Sequence, residues 1–238
     1  MKYKRLLLKI SGEALQNREM GLNHDPNILE SIAIQFRSLL DSGAELAVVV
    51  GGGNIFRGIE GVSIGTDRTT GDYMGMLATV INAMAIQSAL EKNNIQTRVM
   101  TAISMPSIAE PFIRRRAIRH IEKGRVVIFG AGTGNPYFTT DSAAALRATE
   151  INADVLMKAT KVDGIYDDDP VKNSNAIRYD KISYNDAISQ QLKVMDAAPF
   201  SLCMENDIPI EVFDFFKENS MVDIFNGKSS GTLVSNNN

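Results

Sequence analysis

The sequence predicts an α/β protein built on a mostly parallel sheet with helices covering both faces. Three observations lead there. Short apolar runs that read as buried strands alternate with stretches of helical periodicity, and the strands stop at Gly, Ser or Thr. Over 238 residues, 44% hydrophobic residues are enough to bury a full core, so one domain spanning residues 1–238 is the expectation. Strand–helix alternation makes the crossovers parallel, and in such sheets ligands bind beyond the carboxyl ends of the strands.

Each element follows from its residues. RLLLKI (5–10) is the first strand, and Ile28, Ile32, Phe36, Leu39 and Leu40 recur at helical spacing after it. LAVVV (46–50) is a second strand, followed by a helix over Met76 to Leu90. TRVMTA (97–102), RVVIFG (125–130) and ADVLMKAT (153–160) are further strands, separated by helices over Ile113–Ile121 and Ser142–Ile151. The polar, turn-rich segment YDDDPVKNSNAIRYDKIS (166–183) predicts a mobile loop within the domain. PIEVFDF (209–215) reads as a later strand, and SSGTLVSNNN as a last strand with a frayed tail.

Composition narrows the function. A formal net charge of −3 argues against a nucleic-acid surface as the main role, so a small partner is expected. RRRAIRH (114–120) lies on a helix whose other side carries Ile113, Ala117 and Ile121, and reads as a solvated or subunit-facing surface. The methionines of YMGMLATVINAM read as packing. Cys203 is the lone cysteine, which suits a reducing compartment, and His24 and His120 offer no zinc-ligand spacing. A Mg²⁺ held by carboxylates and phosphate stays open. The LLL run near the N-terminus is too short for a signal peptide or a membrane span, so a soluble, cytoplasmic protein without membrane contact is expected.

The chemistry is carried by small-residue loops after strands. No P-loop expression occurs: GKSS at 227 has Val222 where the first glycine belongs. Neither VGGGNIFRG (50–58) nor GAGTGN (130–135) completes a Rossmann fingerprint, because Phe56 and Asn135 occupy the third glycine positions. What remains is KISGEA (9–14), VGGGNIFRG and FGAGTGNPYFTTDSAA (129–144). Tight strand-to-helix turns explain any one of them. Three in succession favour phosphate binding, since glycine lets main-chain N–H groups approach an anion and a helix N-terminus adds its dipole. Lys9 ends its strand beside Ser11 and Gly12, where a cation would meet phosphate; a solvated strand-end charge is the alternative. Asp141 opens a helix, where it is either functional or part of a helix start.

LLLKISGEAL, VVVGGGNIFRG, GDYMGMLATVINAMAIQSAL, GTGNPYFTTDSAAALRATEINAD and KATKVDGIYDDDP, in that order between residue 4 and about 234, resemble the bacterial UMP kinases of the amino acid kinase superfamily. The resemblance implies a three-layer α/β/α sandwich that reversibly transfers the γ-phosphoryl group of ATP to UMP, with Mg²⁺ held mainly through the nucleotide phosphates, in pyrimidine nucleotide biosynthesis. It implies Lys9, Asp141 and Arg57 as catalytic residues. ATP would be met by Lys9, Ile10, Ser11, Gly12, Gly53, Arg57, Thr160, Tyr166 and Asp169. UMP would be met by Gly52, Arg57, Asp72, Thr133, Gly134, Asn135, Pro136, Tyr137, Phe138, Thr139 and Thr140. Asp196 matches a further carboxylate near the nucleotides, and Lys158 and Lys161 are alternatives for a second phosphate-side cation.

The same resemblance implies a homohexamer, with GTP as activator and UTP as inhibitor. Arg98 and Arg125 match basic positions of the GTP site, but Gln87, Ser88 and Glu91 stand where members with a well-defined site carry charged and histidine residues. Two other readings stand beside UMP kinase. A sibling kinase acting on a carboxylate such as acetylglutamate or aspartate is opposed by Arg57, Asp72 and the 132–144 stretch. A nucleotide-binding storage or regulatory protein without turnover is opposed by the joint presence of Lys9 and Asp141.

Overall fold

Strand β1 (Arg5–Ile10) is the organising element, because its alternate side chains feed two separate cores. Leu6, Leu8 and Ile10 pack to one side, and Leu7 to the other; Lys9 shares the parity of Leu7. The structure, a computed structural model, describes residues 2–57, 65–170, 172–173, 175–192, 194–228 and 230–236. Gly58, the last residue of the VGGGNIFRG stretch, lies outside them.

The remaining strands are β2 (Glu45–Val50), β3 (Thr97–Thr101), β4 (Glu110–Pro111), β5 (Val126–Gly130), β6 (Val155–Thr160), β7 (Ile165–Tyr166), β8 (Arg178–Tyr179), β9 (Lys181–Ser183), β10 (Ile210–Asp214) and β11 (Gly231–Ser235). Among the described residues one sheet runs in the order β4-β3-β5-β2-β1-β6-β10-β11-β9, and every pairing in it is parallel except β10 with β11. The helices are α1 (Pro26–Asp41), α2 (Arg68–Lys92), α3 (Arg114–Glu122), α4 (Thr140–Glu150), α5 (Tyr184–Ser189), α6 (Ala197–Glu205) and α7 (Ser220–Phe225).

Helices α1, α2 and α7 contribute Phe36, Ile86 and Phe225 to the core under Leu6, Leu8 and Ile10. On the other face, Ile121 of α3, Ala144 and Ala148 of α4 and Phe200 of α6 cover Leu7, Val49 and Leu156. This is the expected three-layer α/β/α arrangement. By length and composition α2 is apolar enough to cross a membrane; here it packs along α1, β3 and β5.

Several boundaries differ from the sequence reading. Helix α2 begins at Arg68, eight residues before Met76, because Asp67 caps it by accepting from the Thr70 N–H at 3.1 Å. Asp72 therefore sits on a helix. The 166–183 segment is more than the loop expected: β7 and β8 pair antiparallel, and β9 joins the main sheet beside β11. Strands of two or three residues are too short for periodicity to reveal, and the six-residue helices α5 and α7 escape for the same reason. The tail is held at Asn236, whose amide donates to the Met204 carbonyl at 2.9 Å; residues 237–238 lie outside those described.

Buried Thr79 of α2 ties this scaffold to the loop after β5, accepting from the Ala131 N–H at 2.7 Å while donating to the Met76 carbonyl at 2.7 Å. Thr79→Val keeps the shape and orphans that N–H, with an expected loss of about 1–3 kcal/mol in urea denaturation. Thr79→Ser, which keeps the hydroxyl, is expected to retain most of the stability.

Candidate active site

Strand register brings two lysines side by side. β1 and β6 pair in parallel with Lys9 opposite Lys158, so both side chains leave the same face, toward the N-terminus of α4. Adjacent like charges need an anion between them, and Asp141, in the first turn of α4, supplies it. Its Oδ1 lies 2.9 Å from Lys9 Nζ and its Oδ2 2.7 Å from Lys158 Nζ. Lys158 also donates to the Val194 carbonyl at 2.5 Å. All three side chains are 12–15% exposed.

Burial by itself would raise the Asp141 carboxyl, but the Lys9 and Lys158 ammonium groups outweigh it and hold the group below the usual carboxylate range. Burial also pulls the Lys158 ammonium below the ordinary lysine value, against the opposing pull of Asp141. Asp141 is not the helix cap: Thr139 takes that role, accepting from the Ser142 N–H at 3.3 Å. Asp141 therefore stands between two lysines and not at the cap. Lys161, unlike Lys158, is exposed beyond the end of β6.

The first two glycine loops pack against each other beside this triad. Ser11 and Gly12 follow β1, and a side chain at Gly12 would meet the Gly51 carbonyl at 2.7 Å and Asn82 Nδ2 at 3.0 Å. Asn82, fully buried on α2, holds the second loop by donating to the Gly51 carbonyl at 2.6 Å, and its Oδ1 meets His24 Nε2 at 2.7 Å. A side chain at Gly52 would strike the α2 backbone at Gly75, 2.7 Å away. Packing therefore explains Gly12 and Gly52, whereas Gly53 faces Arg57.

A cavity of about 290 Å³ opens beyond these loops. Gly52, Gly53, Arg57, Asp72, Thr133, Phe138, Thr139 and Thr140 line it, so the structure gathers these expected residues in one place. Gly134, Asn135, Pro136 and Tyr137 belong to the same loop without lining the cavity, and Tyr137 reaches its rim through its N–H, which donates to Asp72 Oδ2 at 2.8 Å. Arg57 is paired with Glu13 of the first loop, and Arg68 with Asp72; neither Glu13 nor Arg68 was singled out from sequence. Arg68 was readable, standing one helical turn before Asp72.

A second cavity of about 480 Å³ adjoins Asp141 and Lys158 and is otherwise walled mainly by apolar groups of α5, α6 and the segment between them, together with Asp196. Thr139 Oγ1 donates to Asp196 Oδ2 at 2.6 Å, so Asp196 stands between the two cavities. Thr160, Tyr166 and Asp169 line neither. Thr160 Oγ1 donates to the Phe213 carbonyl at 3.2 Å, Tyr166 donates to Asp163 at 2.5 Å, and Asp169 pairs with Lys172 at 3.4 Å. Arg98 and Arg125 meet elsewhere, on the β3–α3 side, around Glu110 and His120.

Parallel β1 and β6 carrying lysines toward a helix-borne carboxylate, with glycine loops at the same sheet edge, define a phosphotransferase-type site. The chain belongs to the amino acid kinase family, whose model matches residues 4–214. Its structure is similar to that of a UMP kinase from Bacillus anthracis, at 40% identity over 100% of this chain and 98% of that one, with a TM-score of 0.96. A UMP kinase from Ureaplasma parvum matches at 40% identity over 99% of this chain and 100% of that one, with a TM-score of 0.92. A uridylate kinase from Archaeoglobus fulgidus matches at 28% identity, 99% and 100% coverage, and a TM-score of 0.74.

Asp141→Asn strips two buried ammonium groups of their counter-charge, so a loss of about 3–5 kcal/mol in folding stability is expected from denaturation. The depressed carboxyl contributes stability that is complete above its unfolded-state value and is lost as pH falls through the lower folded-state value. The acid limb of a stability–pH curve should therefore be shallower in Asp141→Asn than in the wild type.

Proposed function

We propose that this protein is a UMP kinase, a nucleoside monophosphate kinase that transfers the γ-phosphoryl group of ATP to UMP and releases ADP and UDP, reversibly, in pyrimidine nucleotide biosynthesis. The observation that carries the reading is Asp141 bridging Lys9 and Lys158 beside a cavity that presents both Arg57 and Asp72. We read the chain as one amino acid kinase-type domain acting in the cytoplasm.

The acceptor is a phosphate whose second ionisation lies near pH 6, so its attacking oxygen is already largely charged at neutral pH and needs no general base. The work is to bring two anions together. Arg57 suits the acceptor phosphate, because a guanidinium grips it through two parallel hydrogen bonds, and that phosphate takes the place of the Glu13 carboxylate. Lys9, with Lys158 as the second cation, faces the transferring group, and Asp141 fixes both. As the attacking oxygen bonds to the γ-phosphorus, the bond to the ADP oxygen breaks, and the charge spread over the equatorial oxygens is met by these cations and by N–H groups of Ser11 and Gly12.

Asp72 takes the ribose hydroxyls, residues 133–140 surround the uracil, and Ile10, Gly53, Thr160, Tyr166 and Asp169 complete the donor side. Mg²⁺ fits a site in which Asp141 is engaged by two lysines and Asp196 is the other nearby carboxylate, since this ion takes few protein ligands and binds largely through phosphate and water. When bound it would neutralise phosphate charge. A homohexamer is supported by the exposed apolar stripe Tyr73, Leu77, Ile81 and Met84 on α2, 43–50% exposed and spaced to share one face. Arg98 and Arg125 are the basic groups offered to GTP as an activator, and UTP as an inhibitor would use the acceptor cavity.

The test is ADP release from Mg-ATP with UMP, CMP, dTMP, AMP, acetylglutamate or aspartate. Turnover with UMP alone is expected. Turnover with a carboxylate selects the sibling kinase, and nucleotide binding with no turnover selects a storage or regulatory protein. Arg57→Ala is expected to raise the KM for UMP at least tenfold, with a smaller change for ATP; equal changes would remove Arg57 from the acceptor side.

A further inference from the structure

Building on the UMP kinase reading, we propose that Arg68 is a positioning residue that sets sugar specificity, by fixing Asp72 so that one carboxylate both latches the 133–139 loop and presents a free acceptor to the nucleoside hydroxyls. Arg68 and Asp72 are four residues apart on α2, and Arg68 Nε lies 2.9 Å from each carboxylate oxygen. The Asp72 side chain is 12% exposed and that of Arg68 45%, and both line the acceptor cavity.

Asp72 has a second task. Its Oδ2 accepts from the Tyr137 N–H at 2.8 Å, across 65 residues of chain. Tyr137 is held at φ 71°, a left-handed conformation that a bulky side chain rarely adopts. The residue is 69% exposed, so burial does not hold it there. What does hold it comes from the first turns of α2: Asp72 on its N–H, the Arg68 guanidinium 5.8 Å from its ring centre, and Thr69 Oγ1 3.4 Å from its hydroxyl. Backbone strain of this kind persists where surrounding contacts over-determine it, and it clusters at binding sites.

The acceptor count shows why Arg68 matters. An ionised carboxylate offers about four lone-pair directions. Arg68 engages both oxygens through one N–H, and Tyr137 takes a further direction on Oδ2. Oδ1 keeps a direction for an incoming hydroxyl. Without Arg68, Tyr137 is the remaining hydrogen-bond partner of Asp72 among the described residues, the side chain rotates about χ1 and χ2, and a sugar hydroxyl meets an acceptor that has lost its orientation.

The experiment compares wild type, Arg68→Lys and Arg68→Ala with UMP and dUMP as acceptors at saturating Mg-ATP, with thermal melting on each protein. In Arg68→Ala the KM for UMP should rise at least tenfold, that for ATP should stay within twofold, and the preference for UMP over dUMP in kcat/KM should fall at least fivefold. Arg68→Lys, which keeps the charge and loses the planar fork, should fall between the two. A purely structural role would lower the melting temperature and leave the UMP/dUMP preference intact. That result, or an unchanged KM for UMP in Arg68→Ala, overturns the proposal while leaving UMP kinase activity standing. A wild-type protein that does not turn over UMP overturns the activity, and this inference with it.

Discussion

One carboxylate shared by two ammonium groups is the constraint around which the molecule is arranged. Lys9 and Lys158 are neighbours in a parallel ladder, and without Asp141 the register that pairs their strands would force two buried like charges together. The bridge makes that register acceptable, and it demands that the start of α4 sit over the ends of β1 and β6. Thr139 caps α4 and also binds Asp196, so the helix start is fixed from two directions. The net charge of the trio is +1, a surplus that an anion can satisfy.

Around that trio, the glycine loops act as spacers. Gly12 and Gly52 are small because the neighbouring loop and α2 lie against them, and Asn82 fills the junction, its amide donating to the Gly51 carbonyl and to Asn54 Oδ1. Helix α2 serves three surfaces at once. Its first turns carry Arg68 and Asp72, its buried side carries Thr79 and Asn82 beneath the loops, and its outer side carries the apolar stripe. The cavity lined by Arg57 and Asp72 and the exposed apolar stripe are two sides of one rod.

Much of this was legible in the sequence because the signals were long. Apolar runs of five or six residues marked the six strands β1, β2, β3, β5, β6 and β10, and four amphipathic stretches marked α1 to α4, although α2 began earlier than its apolar pattern because its first two turns are polar. Strands of two or three residues, such as β7 and β9, and helices of six, such as α5 and α7, carry no usable period. The site followed the same division. Lys9, Arg57, Asp72 and Asp141 stood in motifs, whereas the pairing of Lys158 with Asp141 needed strand register, which no single strand contains. Glu13 and Arg68 matter through the partner each reaches, and partnership across 44 residues, as for Glu13 and Arg57, leaves no local trace.

The alternation of β1 limits how this sequence can change over evolutionary time. Losing one residue between Arg5 and Lys9 would turn the lysine into the opposite layer, toward Phe213 and Phe215, and no later substitution in α4 could reach it there. The 166–183 segment, whose strands are two or three residues long, carries no comparable count from its ends. Insertions and deletions in descendants of this chain should therefore collect there, while β1 and β6 keep their lengths even as their apolar residues interchange.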